Sequence, residues 1–426
     1  MGSNPTGSTN LFMKRIIYFL AFIVTTTFAH AQDSVGYVVL VSFDGFRHDY
    51  VKKFNPPNFK SFISNGSGAH SLIPSFPSKT FPNHYTLVTG LYPGNHGLID
   101  NTFYDRETNE IYGMRKKSMV TDPRYYGGIP LWELAKRNGM KSASYFWVGS
   151  EMTEESRRPD YFFPFDDSVH PQTRIDQVID WLKMPAHERP HLITLYFSSP
   201  DHESHTYGPN SEEARKAVMA ADTLLGKLMS GIESTRLPVN VILVSDHGMS
   251  ELIIKADTYV FIDELIDRKN PSVTLANGGT QAHVYVDDLK KRDSVYGVLK
   301  RKEKNFKVYK KEEFPSHWNY QHDRSGELLI IPDPGHYIRE GSRERFMKSA
   351  RMGHKFGEHG FDPTVVGDMH GIFYAQGPNI KQGLTIAPFQ NIHVYPLIAK
   401  ILGLPLPSID GQQNVLDRLY RKAIIR

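Results

Sequence analysis

Val239-Asn240-Val241-Ile242-Leu243-Val244-Ser245-Asp246-His247-Gly248 is the stretch on which the fold turns. Its first six residues form the most apolar strand-like run of the chain, and the run breaks at Gly248. An acid and an imidazole, Asp246 and His247, stand at that break. Taken alone, an Asp-His dipeptide is within the reach of chance. Two other apolar runs finish the same way, however. Tyr37-Val38-Val39-Leu40-Val41 leads to Asp44-Gly45, and Leu192-Ile193-Thr194-Leu195-Tyr196-Phe197 leads to Asp201-x-x-x-His205. Ligands of open α/β sheets bind outside the carboxyl ends of the strands. Three hydrophobic strands that bring acids and histidines to one sheet edge therefore make an active-site architecture.

From residue 36 to 249 strand-like runs alternate with helical stretches. The spacing predicts helices over 130–138, closed by Gly139, over 173–182 and over 211–232. This alternation predicts an α/β fold, a mostly parallel central sheet with helices on both faces. The texture changes over 257–351. That segment is charged (Lys300-Arg301-Lys302-Glu303-Lys304) and carries short alternating runs at 281–286, 306–309 and 327–331. It reads as a small α+β subdomain inserted between strands of the main sheet. Gly371-Ile372-Phe373-Tyr374-Ala375 then restores a core strand, and an amphipathic helix is expected over 391–402, ended by Gly403.

The 426 residues are 40% hydrophobic and 23% charged, with a net charge of +4 and no internal repeat. So small a net charge gives no argument for a stable nucleic-acid complex. Lys14-Arg15, an apolar run over 16–29 and Ala29-His30-Ala31 have the pattern of a secretory signal peptide, residues 1–31. The run is shorter than the roughly 20 apolar residues of a membrane helix. An uncleaved anchor is the other reading of it. The expectation is an exported protein, periplasmic or secreted, with 32–426 as one domain and no membrane span after cleavage. Cysteine is absent, which excludes thiol catalysis and thiolate metal sites. Any metal must sit on His, Asp, Glu or hydroxyl oxygen.

Six candidate ligands can be collected: Asp44, Asp201, His205, Asp246, His247, and His359 in Gly357-Glu358-His359-Gly360. Three acids and three histidines suit two zinc ions, each with three or four N/O ligands and an open position. Paired metals about 3.5–4 Å apart clamp the attacking and leaving oxygens of a displacement at phosphorus. Singly, Asp44-Gly45 also reads as a turn and Asp201-x-x-x-His205 as a helix cap. Ser78-Lys79-Thr80-Phe81-Pro82-Asn83-His84 precedes apolar helical spacing at Tyr85, Leu87 and Val88 that stops at Gly90. Thr80 thus stands near a helix N-terminus, where an anion is favoured. It is either a cap or a nucleophile that metal coordination would activate. Asn101, in Gly97-Leu98-Ile99-Asp100-Asn101-Thr102-Phe103, is either a turn residue or a donor to a phosphoryl oxygen.

Together these residues resemble the nucleotide pyrophosphatase/phosphodiesterase family of the alkaline phosphatase superfamily. The resemblance rests on Ser42-Phe43-Asp44-Gly45-Phe46-Arg47, the stretches around Thr80 and Asn101, and Phe146-Trp147-Val148-Gly149-Ser150-Glu151. It continues through 201–209, Ser245-Asp246-His247-Gly248-Met249 and Gly357-Glu358-His359-Gly360. Order and spacing fit from about residue 36 to the Leu404-Pro405 region. The resemblance implies an alkaline-phosphatase-like fold with two zinc ions. One would be held by Asp201, His205 and His359, the other by Asp44, Asp246, His247 and the Thr80 oxygen. Thr80 would form a covalent nucleotidyl intermediate, which water would release as a nucleoside 5′-monophosphate. Asn101 and the backbone near Thr80 would steady the non-bridging oxygens. Phe81 and Tyr196 would sandwich the base, and Lys79 and Asn101 would also contact substrate.

Thr80 and the lack of cysteine set the chain apart from sulfatases that use formylglycine. The Lys-x-Arg pair of threonine-dependent phosphomonoesterases is missing, with Phe146-Trp147-Val148-Gly149-Ser150 in its place. Fewer cations suit a singly charged diester. Size is the expected departure from animal members of the family, with no cysteine-rich or nuclease-like domain expected to flank the catalytic one. The small-molecule substrate is thus expected to be a nucleotide diester or pyrophosphate. Alternatives on the same two metals are a phospholipid-headgroup diester, a phosphomonoester or a phosphonate. A secreted binding protein with structural zinc is the non-enzyme alternative.

Overall fold

The computed structural model describes residues 1–2 and 36–423, so the run behind the expected signal peptide lies outside the described residues. The main sheet has eight strands: β1 (Tyr37–Phe43), β2 (Ser67–Ala69), β3 (Ser142–Tyr145), β4 (Tyr161–Phe163), β5 (Leu192–Phe197), β6 (Val239–Val244), β7 (Phe373–Gln376) and β8 (Thr385–Ile386). Their order is β8-β2-β7-β6-β1-β5-β3-β4. The central strands β6, β1, β5, β3 and β4 run parallel, and β7 alone opposes its neighbours β6 and β2.

Successive side chains of a strand point to opposite faces, and in the central strands both faces are buried. Val38, Leu40, Ile242 and Val244 share one core with helices α1 (Thr80–Thr89), α2 (Leu131–Arg137) and a C-terminal helix at Val394–Ile401. Val39, Val41, Leu195 and Leu243 share the other core. Helices α3 (Pro171–Lys183) and, beyond the short α4 (Asp201–Tyr207), α5 (Glu212–Thr235) cover it. This is the three-layer α/β arrangement that the strand-helix alternation implies, and all five expected helices, the one between Thr80 and Gly90 included, form within a few residues of their expected bounds.

The inserted segment builds a second, antiparallel sheet in the order Thr274–Asn277, Ala282–Tyr285, Leu328–Pro332, Phe306–Lys310. With the helix Leu289–Arg301 it encloses a core of its own, including Val284, Leu299, Phe306 and Ile330. A two-stranded ribbon, Ser250–Ile253 paired with Lys355–Glu358, ties this unit to the main sheet. Among the described residues no helix is long and apolar enough to cross a membrane.

Leu40 is fully buried in β1, so Leu40→Ala removes packed methyl groups from the strand that sits in the middle of the sheet. The expected cost is about 2–5 kcal/mol, measured by urea unfolding. A loss well below that range would contradict the placement of β1 at the centre of the fold.

Candidate active site

Parallel pairing brings the three decisive strand ends level. Ser42 of β1 pairs with Tyr196 of β5 on one side and Val244 of β6 on the other, so the loops that follow emerge at one edge. Gly45, at φ 64°, lets the β1 loop turn against the start of α4. A Cβ at Gly45 would lie 2.9 Å from the Cα of Asp201. The Asp201 N–H donates to the Asp44 carbonyl at 3.1 Å, and the Gly45 N–H to Asp246 Oδ1 at 3.2 Å. Asp201 opens α4, and His205 follows one turn later on the same face. His359 arrives from the ribbon, where Ser250 pairs with Glu358 and so returns the chain to the neighbourhood of His247.

The structure thus brings together all six expected ligand residues. The Nδ1 atoms of His205, His247 and His359 each lie 2.8 Å from a backbone carbonyl, of Gly357, Gly248 and Ser78 respectively. A carbonyl only accepts, so each Nδ1 carries the proton and each Nε2 turns a lone pair inward, the arrangement that orients metal-ligating histidines. His247 Nε2 stands 3.0 Å from Asp246 Oδ2 and 3.5 Å from Asp44 Oδ1. Asp201 Oδ1 faces His205 Nε2 at 3.4 Å and His359 Nε2 at 3.8 Å. Asp44 Oδ1, Asp201 Oδ1 and Asp246 Oδ2 are buried with no hydrogen-bond partner. Lone pairs facing lone pairs in a buried space call for cations, and a nitrogen–oxygen donor set without sulfur fits zinc or a similar divalent ion. Burial, with the carboxylates of Asp246 and Asp201 close by, pushes the Asp44 carboxyl well above its usual range when no cation is present.

The tightest groupings are Asp201 with His247 and His359, and Asp44 with Asp246 and His84. They differ from the expected ligand sets in two residues. His247 stacks on His359 with ring centroids 3.5 Å apart and also faces Asp44, so it stands between the two halves. His84 has partners at both nitrogens: Ser42 Oγ at 2.8 Å on Nε2, and the Thr80 carbonyl at 3.0 Å on Nδ1. Its Nδ1 also approaches Asp246 Oδ2 at 3.3 Å. This geometry suits a group committed to Ser42 and the Thr80 carbonyl better than one that binds an ion. His84 was not singled out from the sequence, although its i+4 spacing from Thr80 puts both on one face of α1.

Thr80 is the first residue of α1, whose cap residue is Lys79, and no side chain caps that helix end. The Thr80 hydroxyl instead lies 3.2 Å from His247 Nε2. The Phe81 N–H donates to Asn101 Oδ1 at 2.9 Å, so this backbone donor is committed and Asn101 has its NH2 to offer. A cavity of about 470 Å³ opens above Thr80, Asp44 and Asp201, with walls that include Phe81, Phe146, Trp147, Phe163, Phe165 and Tyr196. The Tyr196 ring lines the cavity while its hydroxyl donates to Asp44 Oδ2 at 2.7 Å. Lys79 is buried and is not among the lining residues. Its aliphatic end packs on Gly360, where a Cβ would come within 2.4 Å of Lys79 Cε. Phe165, half exposed, is a cavity wall that the sequence reading missed. It follows β4, and the rule that parallel strands present sites at their carboxyl ends would have pointed to it.

Residues 38–362 match the profile of the family described as Type I phosphodiesterase / nucleotide pyrophosphatase. Ectonucleotide pyrophosphatase/phosphodiesterase family member 1 of Mus musculus is 34% identical over 401 residues, covering 91% of this chain and 43% of that protein. An uncharacterized pyrophosphatase/phosphodiesterase of Schizosaccharomyces pombe is 32% identical over 386 residues, covering 88% of this chain and 78% of that protein. The chain thus spans less than half the length of the first curated relatives it matches. Murine ectonucleotide pyrophosphatase / phosphodiesterase 5 superposes with a TM-score of 0.82 at 30% identity, covering 90% of this chain and 100% of that one. An inactive threonine-to-alanine variant of that murine protein, in complex with AMP, superposes equally well at 29% identity.

The raised Asp44 carboxyl sets a sign. Its contribution to stability in the metal-free protein is present below the ordinary aspartate range and is lost as pH rises through the raised value. Asp44→Asn removes that charge while leaving an oxygen for the Tyr196 hydroxyl. In chelated protein at neutral pH the variant is expected to unfold a few degrees above the wild type. With excess zinc the order should reverse, because the variant gives up a candidate ligand oxygen. Calorimetric scans with and without chelator check both halves, and a variant less stable than wild type in chelator would refute the charge argument.

Proposed function

The chain belongs to the Type I phosphodiesterase / nucleotide pyrophosphatase family, and we propose on that premise that it is an exported, zinc-dependent phosphodiesterase. It hydrolyses nucleotide phosphodiesters and pyrophosphates to nucleoside 5′-monophosphates through a covalent intermediate on Thr80. One observation carries the reading. The Thr80 hydroxyl caps no helix and faces His247 at the floor of an aromatic cavity, beside three carboxylate oxygens without partners. The AMP bound by the murine relative is a product of this class.

Two divalent ions held by Asp44, Asp201, His205, Asp246, His247 and His359, when bound, would favour the ionised hydroxyl and offset charge gathering at phosphorus. Thr80 Oγ1 gives up its proton to solvent and forms a bond to phosphorus, while the bond from phosphorus to the leaving oxygen breaks and that oxygen takes up a proton. Water then attacks phosphorus and loses a proton, the Thr80 oxygen leaves and takes one up, and the nucleoside monophosphate is released. The Asn101 NH2 donates to a non-bridging oxygen as charge develops there. Phe81 and Tyr196 flank the base, and Phe165 contributes a further apolar face. The charged residues that line the cavity are Asp44, Asp201, Glu151, Arg115 and Lys117, and Lys117 is paired with Glu151 at 2.9 Å. Acidic groups outnumber basic ones there, so a singly charged diester fits better than a doubly charged monoester.

The same aromatic walls would accept the apolar part of a phospholipid, which keeps a headgroup diesterase as the second reading. Rates on ATP, a dinucleotide, a nitrophenyl nucleotide diester, nitrophenyl phosphate and a choline phospholipid separate these. The nucleotide diester is expected to exceed the monoester by at least an order of magnitude, and a monoester or phospholipid preference would overturn the nucleotide reading. Thr80→Ala should lower kcat by at least about 10³-fold with bound zinc retained, as read by elemental analysis. Undiminished turnover in that variant would exclude the covalent route.

A further inference from the structure

The inserted subdomain reaches the catalytic edge through one tight turn. Between the strands Thr274–Asn277 and Ala282–Tyr285 the chain passes through Gly278-Gly279-Thr280-Gln281. This turn and the start of the second strand bury Gln281 and His283 against Asp100, the residue before Asn101, and all three side chains are 0% exposed. Asp100 Oδ1 accepts the Asn101 backbone N–H at 2.6 Å. Asp100 Oδ2 lies 2.9 Å from His283 Nε2 and also accepts from the Gln281 side-chain amide. A Cβ at Gly278 would stand 3.1 Å from that oxygen and 2.8 Å from the amide nitrogen. Only glycine leaves room for the contact.

His283 Nδ1 lies 3.1 Å from the Ser325 carbonyl. A carbonyl accepts only, so Nδ1 carries a proton and one further proton is shared by Nε2 and Asp100. The carboxyl group thus has three partners around it and little freedom to turn, the condition under which a buried polar network is rigid. What it holds is Asn101, whose side-chain oxygen is in turn fixed by the Phe81 N–H next to Thr80. Thr80 belongs to the main fold, while His283, Gln281 and Ser325 belong to the insertion. The chain from Ser325 through His283, Asp100 and Asn101 to Phe81 connects the two.

We propose that His283 and Gln281, acting through Asp100, are positioning residues that aim the Asn101 amide. The inserted subdomain is then part of the phosphoryl-transfer machinery. This rests on the reading above in which Asn101 steadies a phosphoryl oxygen. Gln281 also accepts from the Thr280 hydroxyl, which lies 3.1 Å from the His359 carbonyl, whereas His283 bonds only the Ser325 carbonyl and Asp100, so the effect of His283 on turnover must pass through Asn101. Small misplacements of a positioned group lower rates steeply.

A double-mutant cycle tests this in the full-length, zinc-loaded enzyme with a nitrophenyl nucleotide diester. His283→Gln is expected to lower kcat about ten-fold, with KM changed less than two-fold and zinc content unchanged. In an Asn101→Ala background the same substitution should lower kcat by less than two-fold, because the group it aims is gone. Equal fold losses in both backgrounds, or a lower melting temperature with unchanged kcat, would show a purely structural role and overturn the proposal. Should His283→Gln not fold, His283→Asn takes its place in the same cycle with the same criteria. A wild type that prefers another phosphoester fails the nucleotide reading only, since the cycle is then run on that ester. A wild type without any phosphoester turnover fails both.

Discussion

The arrangement depends on three carboxylates, Asp44, Asp201 and Asp246, held in one buried space with an oxygen of each left without a donor. Like charges at such separations, shielded from water, repel strongly. The Asp44 carboxyl responds by holding its proton to higher pH. Against the effect of burial, His247 and His84 hold the Asp246 carboxyl below its usual range, but Asp44 gains no such partner, and the Nδ1 protons of His205, His247 and His359 are directed outward to the carbonyls of Gly357, Gly248 and Ser78. The site is therefore preorganised for cations and strained without them. That strain has to be balanced elsewhere in the protein.

The sheet supplies the balance. β1, β5 and β6 are buried on both faces and covered by helices on each, so the strand ends cannot spread apart to relax the carboxylates. Their level register puts the three acid-bearing loops side by side. Gly45 lets two of those loops touch where any Cβ would push Asp201 away. The ribbon adds His359 to the edge without lengthening the sheet. Rigidity here is a precondition of the chemistry, since a ligand set that could rearrange would hold its ions less selectively.

The strand ends, the acids and histidines that follow them and the place of Thr80 at a helix start were legible in the sequence because each is a local pattern. Apolar runs of strand length stop at Asp44, Asp201 and Asp246, and the helical spacing after Thr80 places it at a helix start. The features that were not legible depend on contacts between distant segments. The opposed direction of β7 follows from how the chain returns after the insertion, which no local pattern encodes. His84 lies inside a motif that was read, yet its role depends on Ser42 and Asp246 meeting it in space. Lys79 is adjacent to Thr80 in sequence, but the helix start turns it away from the cavity and onto Gly360. Phe165 is one more exposed aromatic in the sequence and becomes a wall only beside Phe146, with which it makes an edge-to-face pair at 5.4 Å.

The division of labour between the two parts of the molecule follows from the same geometry. The main sheet holds the inferred ion ligands and Thr80, groups common to any reaction at phosphorus on this frame. Charge accumulating on the non-bridging oxygens needs a donor whose direction is set before the substrate arrives, since a donor that must reorient loses much of its value. Asn101 is not anchored by the sheet. Its backbone is held by Asp100, which the insertion surrounds, and its side-chain oxygen by the first turn of α1. A site assembled this way needs both units folded and docked before Asn101 is aimed. The insertion, which bears none of the inferred ligands, then contributes to the rate by direction.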